Sequence, residues 1–218
     1  MKEKLKEHGR RVWKFFWDDD SAASWLANII VAFVVIRFVV YPLLGALLGT
    51  SFPIVAVVSE SMEHGLGPNG DICGNRFYEF RESFDNYWEA CGSWYEKDGI
   101  TKEEFSAFPF QHGFNKGDVI ILWRANRDNI KQGDILVFQA DKPQPIIHRV
   151  AKIWQEDDAY YYQTKGDHNS DSISNGIGEM NISEARIYGK GALRVPYLGW
   201  LKILFVDAVR PLGLRIER

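Results

Sequence analysis

Between Trp25 and Leu48 the chain reads WLANIIVAFVVIRFVVYPLLGALL, an apolar run broken by one charge, Arg37. A helix rises 1.5 Å per residue, so this run is long enough to cross a hydrocarbon layer of about 30 Å. It predicts one transmembrane helix over 25–48. A cleaved secretory signal would have an apolar core of only about 7 to 15 residues and a small-residue cleavage site, and this run exceeds that length. Arg37 is costly at such depth and is expected to snorkel, pair, or face a protein or water-filled cavity.

Charge is distributed unevenly around the run. Lys2, Lys4, Lys6, Arg10, Arg11 and Lys14 precede it, whereas Glu60, Glu63 and Asp71 follow it. Basic residues are retained on the cytoplasmic side, which predicts a cytosolic N-terminus (1–24) and a larger domain outside (49–196). The basic stretch also suits anionic lipid heads, which implies the same orientation. With 218 residues and a net charge of −3, the chain has room for one domain beside its anchor and no basic excess for nucleic acid. Its two cysteines, Cys73 and Cys91, both fall in the expected outer domain, where a disulfide and two buried thiols are both open readings. No residues have ligand spacing suited to a metal, and no organic cofactor is expected.

Ser51 to Ser59, SFPIVAVVS, reads as a strand leading into Ser61. Over 63–115 the composition turns aromatic and charged. Phe77, Phe80, Phe84, Tyr87, Trp88, Cys91 and Trp94 recur every three or four residues and predict an amphipathic helix whose stripe is core or a partner surface. Thr101 with Glu104 has the pattern of an N-cap before a short helix. From Lys116 onward, GDVIILWRA, GDILVFQA, IIHRVAKIW, YYYQTKGD and ARIYGKGALRVPYLG read as strands with short connections that favour antiparallel pairing, while 175–183 reads as loop. Over 197–218 the apolar residues fall on one side of a helix and Lys202, Asp207 and Arg210 on the other, which predicts an amphipathic segment lying at the membrane.

Ser61, His148, Asp167 and Asp171 are the candidate chemical residues. A serine hydroxyl becomes a good nucleophile when a neighbouring base takes its proton, and histidine has the basicity for this near neutral pH. A carboxylate on the far ring nitrogen holds the tautomer. Of five histidines, His8, His64, His112, His148 and His168, only His148 lies in an apolar strand context. Either aspartate could instead cap its tight turn.

The ordered motifs Val58-Ser59-Glu60-Ser61-Met62-Glu63, Lys116-Gly117-Asp118-Val119-Ile120, Gly133-Asp134-Ile135-Leu136-Val137-Phe138, Ile146-Ile147-His148-Arg149-Val150, and Thr164-Lys165-Gly166-Asp167-His168-Asn169 with Asp171 resemble signal peptidase I, serine peptidase family S26, in its archaeal and endoplasmic-reticulum branch. Gly191 to Gly199, GALRVPYLG, extends the likeness. The resemblance implies a mainly β fold: an N-terminal transmembrane helix, a coiled antiparallel β-sheet catalytic domain with a helical insert at 63–115, and a C-terminal amphipathic helix. It implies Ser61 as nucleophile and His148 as base, with Ser59 and the Ser61 backbone N–H as oxyanion donors. Asp171 is then the preferred partner of His148 and Asp167 a structural or electrostatic residue.

His64 stands where the family's eukaryotic pattern often has proline, and the two aspartates are closer together than is usual. The insert lies outside the shared motifs. Lys165 is a weaker candidate for the base, because nearby Asp167 favours its charged form. The implied activity is removal of signal peptides from exported preproteins at the plasma membrane, with membrane lipid and the protein export machinery as further partners. A non-catalytic binding module of that machinery, or a related protease with regulatory substrates, are the competing functions.

Overall fold

The computed structural model describes residues 2–141, 144–175, 178–200 and 203–204, in two units, Met1–Leu47 and Leu48–Arg218. Most of the expected C-terminal amphipathic segment lies outside the described residues.

The first unit is helical. Helix α1 (Lys2–Trp17) is followed by α2 (Ala22–Val35), a π-helical turn (Ile36–Val40) and α3 (Tyr41–Leu48). Ser21 caps α2 by accepting from the Ser24 amide, and Ser24 Oγ donates to the Phe15 carbonyl of α1 at 2.5 Å. The π turn has a local cause. Pro42 has no N–H to return to the Phe38 carbonyl, and its ring crowds that oxygen, so the turn ahead of it widens. The Tyr41 amide accordingly donates to Ile36, five residues back. Ala22–Leu48 forms one helix long and apolar enough to cross a membrane, by length and composition. Trp25, Ile29, Phe33, Ile36 and Phe38 project outward along it.

The second unit is a seven-stranded antiparallel sheet curled into a half-barrel, in the order β1-β4-β9-β5-β6-β7-β8. Its strands are β1 (Ile54–Ala56), β4 (Val119–Trp123), β5 (Ile135–Phe138), β6 (Ile146–Glu156), β7 (Ala159–Lys165), β8 (Ile182–Ser183) and β9 (Ile187–Val195). A small separate hairpin pairs β2 (Asp71–Ile72) with β3 (Asn75–Arg76). The strand expected over 51–59 is shorter than its apolar run, because only Ile54 to Ala56 pair with β4.

Two similar turns launch the central strands. At Gly117 and Gly133 the backbone takes φ of 90° and 88°, where a side chain would be strained. The following aspartates, Asp118 and Asp134, accept from the amides three residues earlier, Asn115 and Lys131. Asp157 and Asp158, both at positive φ, form the two-residue hairpin between β6 and β7. One face of the sheet buries Val57, Met62, Phe114, Ile120 and Ile135, and another cluster gathers Leu136, Phe138, Val150, Tyr162 and Ile182.

Residues 63–115 contain β2, β3, α4 (Phe84–Lys97) and α5 (Lys102–Ser106), built round an aromatic cluster of their own. The aromatic spacing predicted a helix from Phe77, but Ser83 is extended at φ −155° and caps α4 by accepting from the Asn86 amide. Phe77 and Phe80 therefore reach the cluster from a loop. Thr101 and Glu104 form a reciprocal capping box on α5. Cys73 and Cys91 are joined in a disulfide that ties the small hairpin to α4, with Cα atoms 5.5 Å apart.

Candidate active site

Ser61 follows β1 in a turn whose neighbours hold it from both sides. Met62 is wholly buried in the sheet cluster, and its carbonyl accepts from the Phe114 amide at 3.1 Å. The Ser61 carbonyl accepts from the His168 amide at 2.9 Å. The serine side chain is thus aimed by a backbone held through the carbonyls of Ser61 and Met62.

His148 lies on β6 opposite Leu136 and is almost completely buried. Its Nε2 is 2.9 Å from Ser61 Oγ, and Ser59 Oγ is 3.1 Å from the same hydroxyl. On the other side of the ring, Nδ1 meets the carboxylate of Glu179. That carboxylate is itself buried, accepting from Thr164 Oγ1 at 3.1 Å and from the Ile173 amide at 2.6 Å. Hydroxyl, imidazole and carboxylate form one continuous hydrogen-bonded line.

Neither sequence-selected aspartate occupies the far ring nitrogen. Asp171 accepts from Trp94 Nε1 at 2.7 Å and from the Ser172 amide, so its carboxylate is turned toward the insert. Asp167 is wholly buried against Arg149, the residue after His148. Successive strand residues project to opposite faces, which sends His148 to Ser61 and Arg149 to Asp167. The five guanidinium N–H groups are all used: two on Asp167 at 2.9 and 2.6 Å, and three on the carbonyls of Pro109, Gly133 and Phe110. Burial pushes the Asp167 carboxyl up, but Arg149 and His64 outweigh it and hold the group well below the usual carboxylate range.

The ordering of the last motif did not identify Glu179. It lies eight residues beyond Asp171 in a stretch that reads as loop, and its one sequence cue is an acid set among Gly178, Met180 and Ile182. Lys165 is buried too. Its ammonium donates to the carbonyls of Gly166 and Asp167 and lies 5.3 and 5.0 Å from the rings of Trp94 and Tyr95. Burial lowers it to about 8, against the opposing pull of Asp167, Asp171 and Glu179.

A cleft of about 300 Å³ opens beside Ser61 and His148, walled by Val55, Val58, Ile146 and Ile173 among others. This is the small end of the range for ligand pockets, suited to short aliphatic side chains. Gly166 keeps the site closed up: a Cβ there would come within 2.8 Å of both His148 Nε2 and the Ser61 carbonyl.

A curled antiparallel sheet bearing a hydroxyl, a base and a buried acid in line has the parts of a general-base-activated serine hydrolase. Sequence comparison narrows the class. The chain is homologous to catalytic subunits of the signal peptidase complex. It is 30% identical over 99 residues to the subunit SEC11C of Homo sapiens, covering 43% of this chain and 51% of that protein. It is 33% identical over 101 residues to SEC11 of Candida tropicalis (44% and 60% of the two chains) and 31% identical over 100 residues to SEC11 of Fusarium vanettenii (43% and 57%). The chain thus spans between about half and three fifths of the relatives it matches. No family model matches it.

Proposed function

We propose that this chain is a membrane-anchored serine endopeptidase that removes signal peptides from exported preproteins. The observation that carries the reading is the 2.9 Å approach of Ser61 Oγ to His148 Nε2, with Glu179 behind the ring. The named activity of its relatives, catalytic subunits of a signal peptidase complex, supports the substrate class.

His148 Nε2 takes the Ser61 proton as Oγ attacks the scissile carbonyl, and Glu179 stabilises the resulting imidazolium. Ser59 Oγ and the Ser61 backbone N–H are the donors for the tetrahedral oxyanion. His148 then protonates the departing amine, which leaves the signal peptide esterified to Ser61. Water, deprotonated by the same imidazole, hydrolyses that ester. The substrate backbone extends along a strand edge, and short side chains beside the scissile bond enter the aliphatic cleft. The apolar helix anchors the enzyme in the plasma membrane with its N-terminus cytoplasmic and residues 49–196 outside, where the export machinery delivers preproteins.

Cleavage of a preprotein by the full chain in detergent or lipid vesicles tests this reading. Ser61→Ala and His148→Ala should each abolish processing. Normal turnover by either variant would refute it.

A further inference from the structure

The loop 166–168 touches Ser61 and Met62 on one side and the aromatic insert on the other. Toward the serine, the His168 amide donates to the Ser61 carbonyl at 2.9 Å, and the Asp167 amide points to Met62 Sδ at 3.4 Å. Toward the insert, the His168 carbonyl accepts from the Cys73 amide at 2.9 Å, and the Asp167 carbonyl accepts from Tyr87 Oη at 3.0 Å. The Asp167 carboxylate receives Tyr95 Oη on one oxygen and His64 Nε2 on the other, each at 2.9 Å. His64 is stacked flat on Tyr87 at 3.5 Å.

Apart from that of His64, these insert contacts trace to one face of α4, directly or through the disulfide. Tyr87, Cys91 and Tyr95 recur every four residues on α4 and so stand in a row. Two of them present hydroxyls to Asp167, and the third is bonded to Cys73, whose amide holds His168. All three are buried. Packing alone would need only the two tyrosine rings, whereas their hydroxyls add two donors, both directed at Asp167.

We infer that the insert is a positioning device for the Ser61 alcohol: the α4 row and His64 set the backbone of residues 166–168, and that backbone sets Ser61 against His148. The inference rests on Ser61 being the nucleophile, as proposed above. Tyr87, Tyr95, His64 and the Cys73–Cys91 bond are positioning groups, because each acts through residues 166–168.

The test uses the full chain in detergent, comparing wild type with Tyr95→Phe and with the double variant Cys73→Ser/Cys91→Ser. Tyr95→Phe keeps the ring and removes the donor, so it preserves the fold if the double variant does not. Both are expected to lower kcat by about tenfold with KM within about twofold, the scale of a sub-ångström misplacement where 1 Å costs about a hundredfold. Amide exchange of Asp167 and His168 should accelerate, and the NMR signals of the His148 ring should move. Tyr78→Ala, an exposed ring in the same insert, should change none of these. Unaltered kcat in Tyr95→Phe, or loosened exchange with an unmoved His148 ring, would overturn the inference. The exchange and ring signals need no substrate. If wild type cleaves no preprotein, the proposed function fails, while those signals still decide whether the insert positions Ser61.

Discussion

Glu179 and His148 meet through a buried carboxylate and ring nitrogen although 31 positions separate them in the chain. The glutamate arrives from the segment after Asp171, and the histidine from the middle of the sheet. Glu179→Gln keeps the volume but removes the charge that stabilises an imidazolium, so kcat for preprotein cleavage should fall by about 10²- to 10⁴-fold. Asp171→Asn should stay within about threefold of wild type, since its carboxylate serves Trp94. Steady-state cleavage assays on the two variants separate these outcomes.

Removing one partner of the Arg149 and Asp167 pair leaves the other charge buried. Arg149→Met should therefore destabilise the domain by about 3 to 5 kcal/mol, measured by denaturant unfolding. The pair also implies an acid limb. Asp167 titrates lower in the folded state than in the unfolded one, so its stabilisation is present above about pH 4 and is lost as pH falls toward its folded value. Asp167→Asn should be less stable at neutral pH and flatter below it.

Lys165 adds a slope of the same sign at high pH. Its folded value, about 8, lies below its ordinary 10.5, so the unfolded chain binds more protons between those limits and stability rises with pH across that window. Tyr87 and Tyr95, pushed well above 10 by burial, oppose this trend near its upper end. The comparison is therefore between wild type and Lys165→Met, which should lack the rise. Lys165→Ala should retain cleavage well above background, since the Lys165 ammonium is engaged with two backbone carbonyls of the 166–168 loop and can contribute positioning at most. Loss of cleavage to background would make the lysine the base.

Gly166 tests how tightly the serine and histidine are brought together. Alanine there would place a methyl 2.8 Å from His148 Nε2 and from the Ser61 carbonyl, both too close for ordinary contact. Displacing either group by 1 Å should cost about a hundredfold in kcat while the thermal transition persists. Differential scanning calorimetry beside the cleavage assay checks both parts.

Strands were legible because alternating and β-branched runs bounded by turn residues have few alternatives: β4, β5 and β9 fall within the runs that predicted them, while β6 runs on to Glu156 and β7 starts one residue early at Ala159. Helix α4 was legible in type but not in its start, which Ser83 decides by a single extended residue. The paired cysteines were visible, yet their bonding depends on a distance that spacing does not encode. Ser61 and His148 could be singled out from local context, whereas Glu179 could not, because a carboxylate in a loop looks like any solvated acid until folding buries it.

What the linear chain determined by itself was everything that depends on near neighbours: the apolar run with its proline-widened turn, the capped helices, the strand periodicity and the glycines at positive φ. These follow from backbone sterics and from which side chains can face water or lipid. Which acid reaches His148, and how Arg149 spends its five N–H groups, were decided only in three dimensions. Buried charges must find partners wherever the fold brings them, and those partners lie tens of residues away along the chain.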